Sequence, residues 1–541
     1  MRTTSSRAFR SRVLAIGLDG FELSFAERLM AEGALPNIER LHARSVRYRL
    51  EHGRDKYSGL AWEHVSSGRA PSDGARWSAV TFHPDDYTVR QDPTSARPFL
   101  ADVGARTVVF DVPYFDLYQA PRVLGLTSWG AHDPGVMPVA RPEGLREEMR
   151  RTFGPYPASE WIYGFTWPSP ERTRALGEAL VRAVEVRRRA TRWLLAERLP
   201  DWDLALVVVS ETHSAIEPLW HGVDISHPLH GIPSAAVAAE GLRNVYRAVD
   251  DLVGELCREF PDAIVALFAM HGMGANEADV PSMLLLPELL YRHAFGEPYM
   301  RLPRWAAETE AGVPLLAADE TWEAVMQRAV PVPAAPAGSS ARRLGRMLGV
   351  MRPASIAPAA PDPAKLEWMP ATNYREFWPR MPAFALPSFY DGRVRINVAG
   401  REGRGIVSRE RYLAACDQIS DLLLGCRNVL TGEAVVDAIH KEHTDPGEVG
   451  PSEADLYVIW RSLPIGLASP LGTIGPVPYR RTGGHTGAWG FLYVAGDGIT
   501  PRDAGRAGSF DVVPTLVDLL GEARPPGLSG TPLPWRLEAC S

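Results

Sequence analysis

Several apolar runs in this chain end on residues that can bind a cation, hold a phosphate or attack phosphorus. Val13-Leu14-Ala15-Ile16-Gly17-Leu18 runs directly into Asp19-Gly20-Phe21, the pattern of a fully buried parallel strand delivering one carboxylate at its C-terminal edge. Open α/β sheets bind ligands at that edge, although an Asp before a Gly also suits a turn or a helix cap. Tyr57-Ser58-Gly59-Leu60, continuing to Gly68, reads as a loop entering a short helix. There Ser58 is either the N-cap or a nucleophile where free N–H groups and the helix dipole favour a phosphate or sulfate. The apolar run 204–209 empties into His213 and Glu217, which face the same way if they share a helical turn. Pro218 restricts the residue before it, so an irregular turn is the alternative. The run 263–269 exits at Met270-His271-Gly272, and Gly484-His485 precedes a strand at 490–494. His132 follows a strand near 123–127 and is either a pocket residue or a surface-loop histidine.

Cleaving a phosphoric ester requires a nucleophile, neutralisation of the non-bridging oxygens and help for the leaving oxygen. Two metal ions roughly 3.5–4 Å apart supply all three. Asp19, His213, Glu217, His271 and His485 are hard and borderline ligands suited to such a centre. The expected cofactor is a divalent metal, Zn²⁺ first with Mn²⁺ or Fe²⁺ as alternatives, as one or two ions. The expected partner is a small-molecule phosphate ester.

These residues need a scaffold that gathers strand ends. Apolar strands alternate with helical patterns at 23–43, 171–199 and 241–258, which predicts βαβ units. The fold class expected is α/β, a mainly parallel central sheet with helices on both faces. In the 171–199 helix Leu176, Leu180, Ala183 and Val184 form an apolar stripe, and its many arginines read as a solvated face. Alternation fades over 277–382, where the Pro- and Ala-rich stretch 331–363 suggests an inserted cap or mobile lid over the pocket. The domain map is therefore a flexible N-terminus at 1–12, a first part of the core at 13–276, an inserted cap or lid at 277–382, and a second part of the core at 383–541.

Composition narrows the classes. The 541 residues are 45% hydrophobic and 23% charged, with a formal net charge of −7, as in ordinary globular proteins. That charge offers no field for nucleic acid or an anionic membrane. No apolar run approaches the roughly eighteen residues of a transmembrane helix. The Arg- and Ser-rich start lacks a signal-peptide core, so a cytoplasmic location is expected. Cys257, Cys416, Cys426 and Cys540 show no CxxC spacing, against a disulfide framework or thiolate metal site. Nothing in the pattern specifies an oligomeric state.

Taken in order, these segments resemble the alkaline phosphatase superfamily, and within it the type I phosphodiesterase/nucleotide pyrophosphatase branch. The resemblance is carried by the Asp19-Gly20 strand, Leu35-Pro36-Asn37, the 58–68 stretch, Glu211-Thr212, His271-Gly272-Met273, Ile396-Asn397 with Gly400-Arg401-Glu402, Gly484-His485 and Val513-Pro514-Thr515. It implies a metal-dependent phosphoric ester hydrolase with Ser58 as nucleophile. One ion would be held by Asp19, Ser58, an Asp and His271, the other by an Asp, a His and His485. Two departures stand out. His213 and Glu217 exchange the carboxylate and imidazole of the family's Asp-x-x-x-His pair. Met270 replaces the Asp of Asp-His-Gly with a thioether, a poor ligand for these metals. The altered set leaves open a one-metal or redox-active centre with different chemistry, or a relative that binds without catalysing. A sulfatase is disfavoured because 58–62 lacks the Cys/Ser-x-Pro-x-Arg pattern.

Overall fold

Nine strands form the central sheet of the computed structural model, which describes residues 12–130, 137–162, 164–318, 320–332 and 366–536. In chain order they are β1 (Val13–Leu18), β2 (Val46–Glu51), β3 (Thr107–Phe110), β4 (Leu124–Leu126), β5 (Ala140–Arg141), β6 (Leu204–Val209), β7 (Ile264–Ala269), β8 (Gly490–Ala495) and β9 (Arg502–Gly508). Their spatial order is β9-β2-β8-β7-β1-β6-β3-β4-β5. β1 pairs in parallel with both β6 and β7, β3 with β6 and β4, and β2 with β9. The antiparallel pairs are β2 with β8, β7 with β8, and β4 with β5. The fold is α/β with a mainly parallel sheet.

All residues of β1, β6 and β7 are buried, because apolar layers cover both faces. Leu14, Ile16 and Leu18 face one layer, Val13 and Ala15 the other. On the first face lie α1 (Pro170–Arg192) and α3 (Ala235–Glu259), with α2 (Glu211–Leu219) between β6 and the cavity; α4 (Val512–Leu519) covers the second face. The helices α1 and α3 cross closely at Gly177 and Gly241: a Cβ on Gly177 would lie 3.1 Å from the Gly241 Cα.

The pleat of β7 decides one expectation. Ile264, Ala266 and Phe268 face the second layer, and Met270 continues that series into the same apolar cluster. Met270 is therefore a core residue and not a pocket residue. The arginines of α1 are also not uniformly solvated: Arg187 falls on the stripe of Leu176, Leu180, Ala183 and Val184 and is fully buried.

A second apolar core gathers residues from 80–89, 229–330 and 366–479. Its four-stranded antiparallel sheet is ordered Ala383–Leu386, Gly392–Ile396, Leu456–Trp460, Val436–His440. After β7 the chain next joins the central sheet at Gly490, so residues 383–479, expected to belong to the second part of the core, pack into this second cluster instead. The 331–363 lid expectation and His132 lie outside the described residues, apart from 331–332. Among the described residues no helix is long and apolar enough to cross a membrane.

Candidate active site

One cavity of about 480 Å³ opens where β1, β6 and β7 end, and Asp19, Ser58, His213, Glu217, His271 and His485 all line it. Trp368, Phe389, Tyr390, Arg480 and Arg481 also line it. Asp19 leaves β1 just before Gly20, whose φ of 63° suits glycine. A Cβ there would stand 2.8 Å from the His213 Cα and 2.9 Å from its Cβ, so the missing side chain lets α2 approach β1. Thr212 Oγ1 donates to the Asp19 carbonyl and ties that helix down.

α2 is helical through Pro218, so His213 and Glu217 share one turn rather than an irregular loop. His213 Nδ1 is 3.5 Å from Asp19 Oδ2, and His213 Nε2 is 3.5 Å from Glu217 Oε1 and 3.1 Å from His485 Nε2. A tetrahedron with 2.0–2.1 Å ligand bonds has edges of roughly 3.3–3.4 Å. His271 Nδ1 is 2.9 Å from the Gly272 carbonyl oxygen, which can only accept. That bond fixes Nδ1 as the donor and leaves Nε2 a bare lone pair, the form a cation or proton requires. The ring of His485 stacks on Tyr390 with centroids 3.7 Å apart and lies 4.6 Å from that of His271.

Burial raises the Asp19 carboxyl to about 7, against a hydrogen bond from Trp62 that pulls it down. Burial likewise raises Glu217 to about 7, with Arg481 opposing. It lowers His271 to about 4 and brings Lys56 below the usual lysine range. The pocket is thus built of groups whose charged forms are disfavoured until a counter-charge arrives.

Ser58 is not an N-cap. It closes a 3₁₀ turn, Gly53–Ser58, while the following helix, Ala61–Ser67, is capped by Leu60 and spans seven residues. Its Oγ donates to the Asp55 carbonyl oxygen at 2.6 Å and accepts from the Leu60 N–H at 3.1 Å. Glu211, at the acidic strand exit, turns away from the cavity. Its carboxylate and that of Asp111 both bind the buried Arg187, at 2.9 and 2.8 Å.

The donor chemistry of His213, His485 and Glu217 suits one divalent ion. Met270 lies in the core and Arg187 holds Asp111 and Glu211, which leaves Asp19 and Glu217 as the carboxylates beside the histidines on the cavity wall. Among the described residues no three His, Cys, Asp or Glu side chains already enclose a metal position. Arg481 Nη1 donates to Glu217 Oε1.

Sequence reasoning missed the arginines. Arg187 was legible from its place on the apolar stripe, and Arg480-Arg481 from a basic pair just ahead of Gly484-His485. Tyr390 and Trp368 carried no local signal.

No family model and no curated protein matches this chain in sequence. Phosphonoacetate hydrolase from Sinorhizobium meliloti in complex with phosphonoformate shares 13% identity at a TM-score of 0.48, covering 95% of each chain. Murine ectonucleotide pyrophosphatase/phosphodiesterase 5 in complex with AMP shares 9% at 0.43, covering 95% of this chain and 96% of that one. The alkaline phosphatase PafA shares 12% at 0.47, covering 98% and 100%. These likenesses are of backbone and assign no role to any residue here.

Proposed function

We propose that this protein is a metal-dependent hydrolase of phosphoric esters, with Ser58 as nucleophile and one divalent ion, Zn²⁺ before Mn²⁺ or Fe²⁺, held by His213, His485 and Glu217. The observation that carries this reading is the meeting of Ser58 with five cation- or proton-binding side chains in one cavity at the carboxyl ends of parallel strands. The ion, when bound, would neutralise non-bridging oxygens and favour an ionised nucleophile or water. Ser58 Oγ attacks phosphorus as the P–O bond to the ester's alcohol breaks, and the alcohol leaves taking a proton; water then cleaves the seryl phosphoester, restoring the Ser58 hydroxyl and releasing the phosphate product. The Ser58 proton, shared at rest with the Asp55 carbonyl, passes to a cavity base. Asp19, raised to about 7, and the bare His271 Nε2 are the bases present. Asp19 orients His213 through Nδ1, and Tyr390 holds the plane of His485.

Elemental analysis of the purified protein, with a screen of chromogenic phosphomonoesters, phosphodiesters and sulfate esters, tests the reading. Ester turnover is expected, lost with a chelator, restored by a divalent ion and lost by at least about a thousandfold in Ser58→Ala, a few kcal/mol of barrier. Full activity in Ser58→Ala would exclude covalent catalysis at this position.

A further inference from the structure

The two arginines of the cavity differ in how they are held. Arg480 donates to Asp279 at 2.8 Å and Glu323 at 3.1 Å and lies against the rings of Phe165 and Trp368. Two carboxylates and two aromatic faces fix it as a structural cation. Arg481 donates through Nη1 to Glu217, and its Nε, in a residue only 7% exposed, has no partner among the described residues. A buried N–H without an acceptor is destabilising unless something from outside completes it. This one belongs to a side chain on the wall of the cavity that holds Ser58.

The ligand set points the same way. With Met270 in the core, Arg187 holding Asp111 and Glu211, and Arg480 holding Glu323, the carboxylates left to cations on the cavity wall are Asp19 and Glu217. Glu217 already bears a guanidinium on a carboxylate that a metal would otherwise share. We infer that Arg481 supplies the second positive charge of this centre: its guanidinium, on the cavity wall and only partly satisfied by Glu217, takes a non-bridging oxygen of a phosphoryl or phosphonyl group, and the site works with at most one divalent ion. Guanidinium suits the task because its charge is permanent and its donors are fixed in a plane that matches phosphate oxygens. The inference rests on the phosphoric-ester reading for the identity of the anion. It also makes Glu217 the competitor of that anion for Arg481.

The competition yields a test with opposite signs. In the metal-stripped full-length protein, inorganic phosphate is titrated calorimetrically, with acetate as the control anion. Wild-type protein is expected to bind phosphate without any metal. Arg481→Gln should weaken that binding by about tenfold or more, whereas Glu217→Gln, which releases the guanidinium, should tighten it several-fold. Arg481→Lys should fall between wild type and Arg481→Gln, since it keeps charge without the planar fork. Circular dichroism and thermal midpoints confirm that each variant folds. Elemental analysis of metal-loaded wild type should give no more than one ion per chain. Two ions per chain, phosphate affinity in Arg481→Gln within about twofold of wild type, weakening in both single variants, or equal preference for acetate would each overturn the inference. Arg481-dependent phosphate binding without ester turnover would keep the anion site and remove the hydrolase reading. Turnover with phosphate binding indifferent to Arg481 would do the reverse.

Discussion

Arg187→Met should cost the protein stability and weaken its cation site together. The guanidinium is fully buried, donates to both Glu211 oxygens, to Asp111 and Ser210 and to the Val208 carbonyl, and lies 5.0 Å from the Trp129 ring centre. Burial alone would lower its pKa, but Glu211 and Asp111 outweigh that and raise it. Removing one partner of a buried ion pair costs about 3–5 kcal/mol, and here two carboxylates lose theirs. Because Glu211 begins the helix bearing His213 and Glu217, cation affinity should fall with stability. Urea midpoints followed by tryptophan fluorescence measure the loss of stability, and calorimetric titration of a divalent ion the loss of affinity. A loss below about 1 kcal/mol would refute the claim that Arg187 neutralises both strand exits.

Gly20→Ala should place a methyl 2.5 Å from Met273 Sδ and 2.8 Å from the His213 Cα at a φ of 63°; about 1–3 kcal/mol of stability and most turnover should be lost, and unchanged thermal midpoint and kcat would show that α2 is not braced there. Met270→Asp should bury a carboxyl in the apolar layer and cost about 4 kcal/mol at pH 7 without adding metal, so a gain in zinc per chain would contradict the packing described. Acidification should destabilise the protein between about pH 6.5 and 4. His64 and His221, lowered by burial to about 3, and His227 and His271, lowered to about 4, bind fewer protons folded than unfolded across that window. His42, His52, His293 and His440, also lowered by burial, add to that fall, while Asp19 and Glu217, raised to about 7, and the raised Glu22, Asp55, Glu63, Asp250 and Glu277 oppose it. A urea midpoint that rises on acidification would reverse that sign.

The legible parts of this fold were those whose signal is local. β1, β6 and β7 are continuous apolar runs because layers cover both faces, and the polar residues just past them reach the cavity wherever the pleat allows. That condition failed at Met270, where the side-chain series of β7 carries through into the core. β9, Arg502–Gly508, has no such signature: it is a partly exposed edge strand, held by backbone pairing to β2. Counting ligands along a motif also leaves out their counter-ions, which come from distant segments. Arg187 meets Glu211 from the preceding helix, and Arg481 meets Glu217 from 264 residues away. Each arginine removes or shares a carboxylate that motif spacing alone would assign to metal. The charge balance of the site is therefore set by pairs that no single segment contains, and a phosphoryl group entering this cavity meets a fixed guanidinium where spacing alone predicts a second ion.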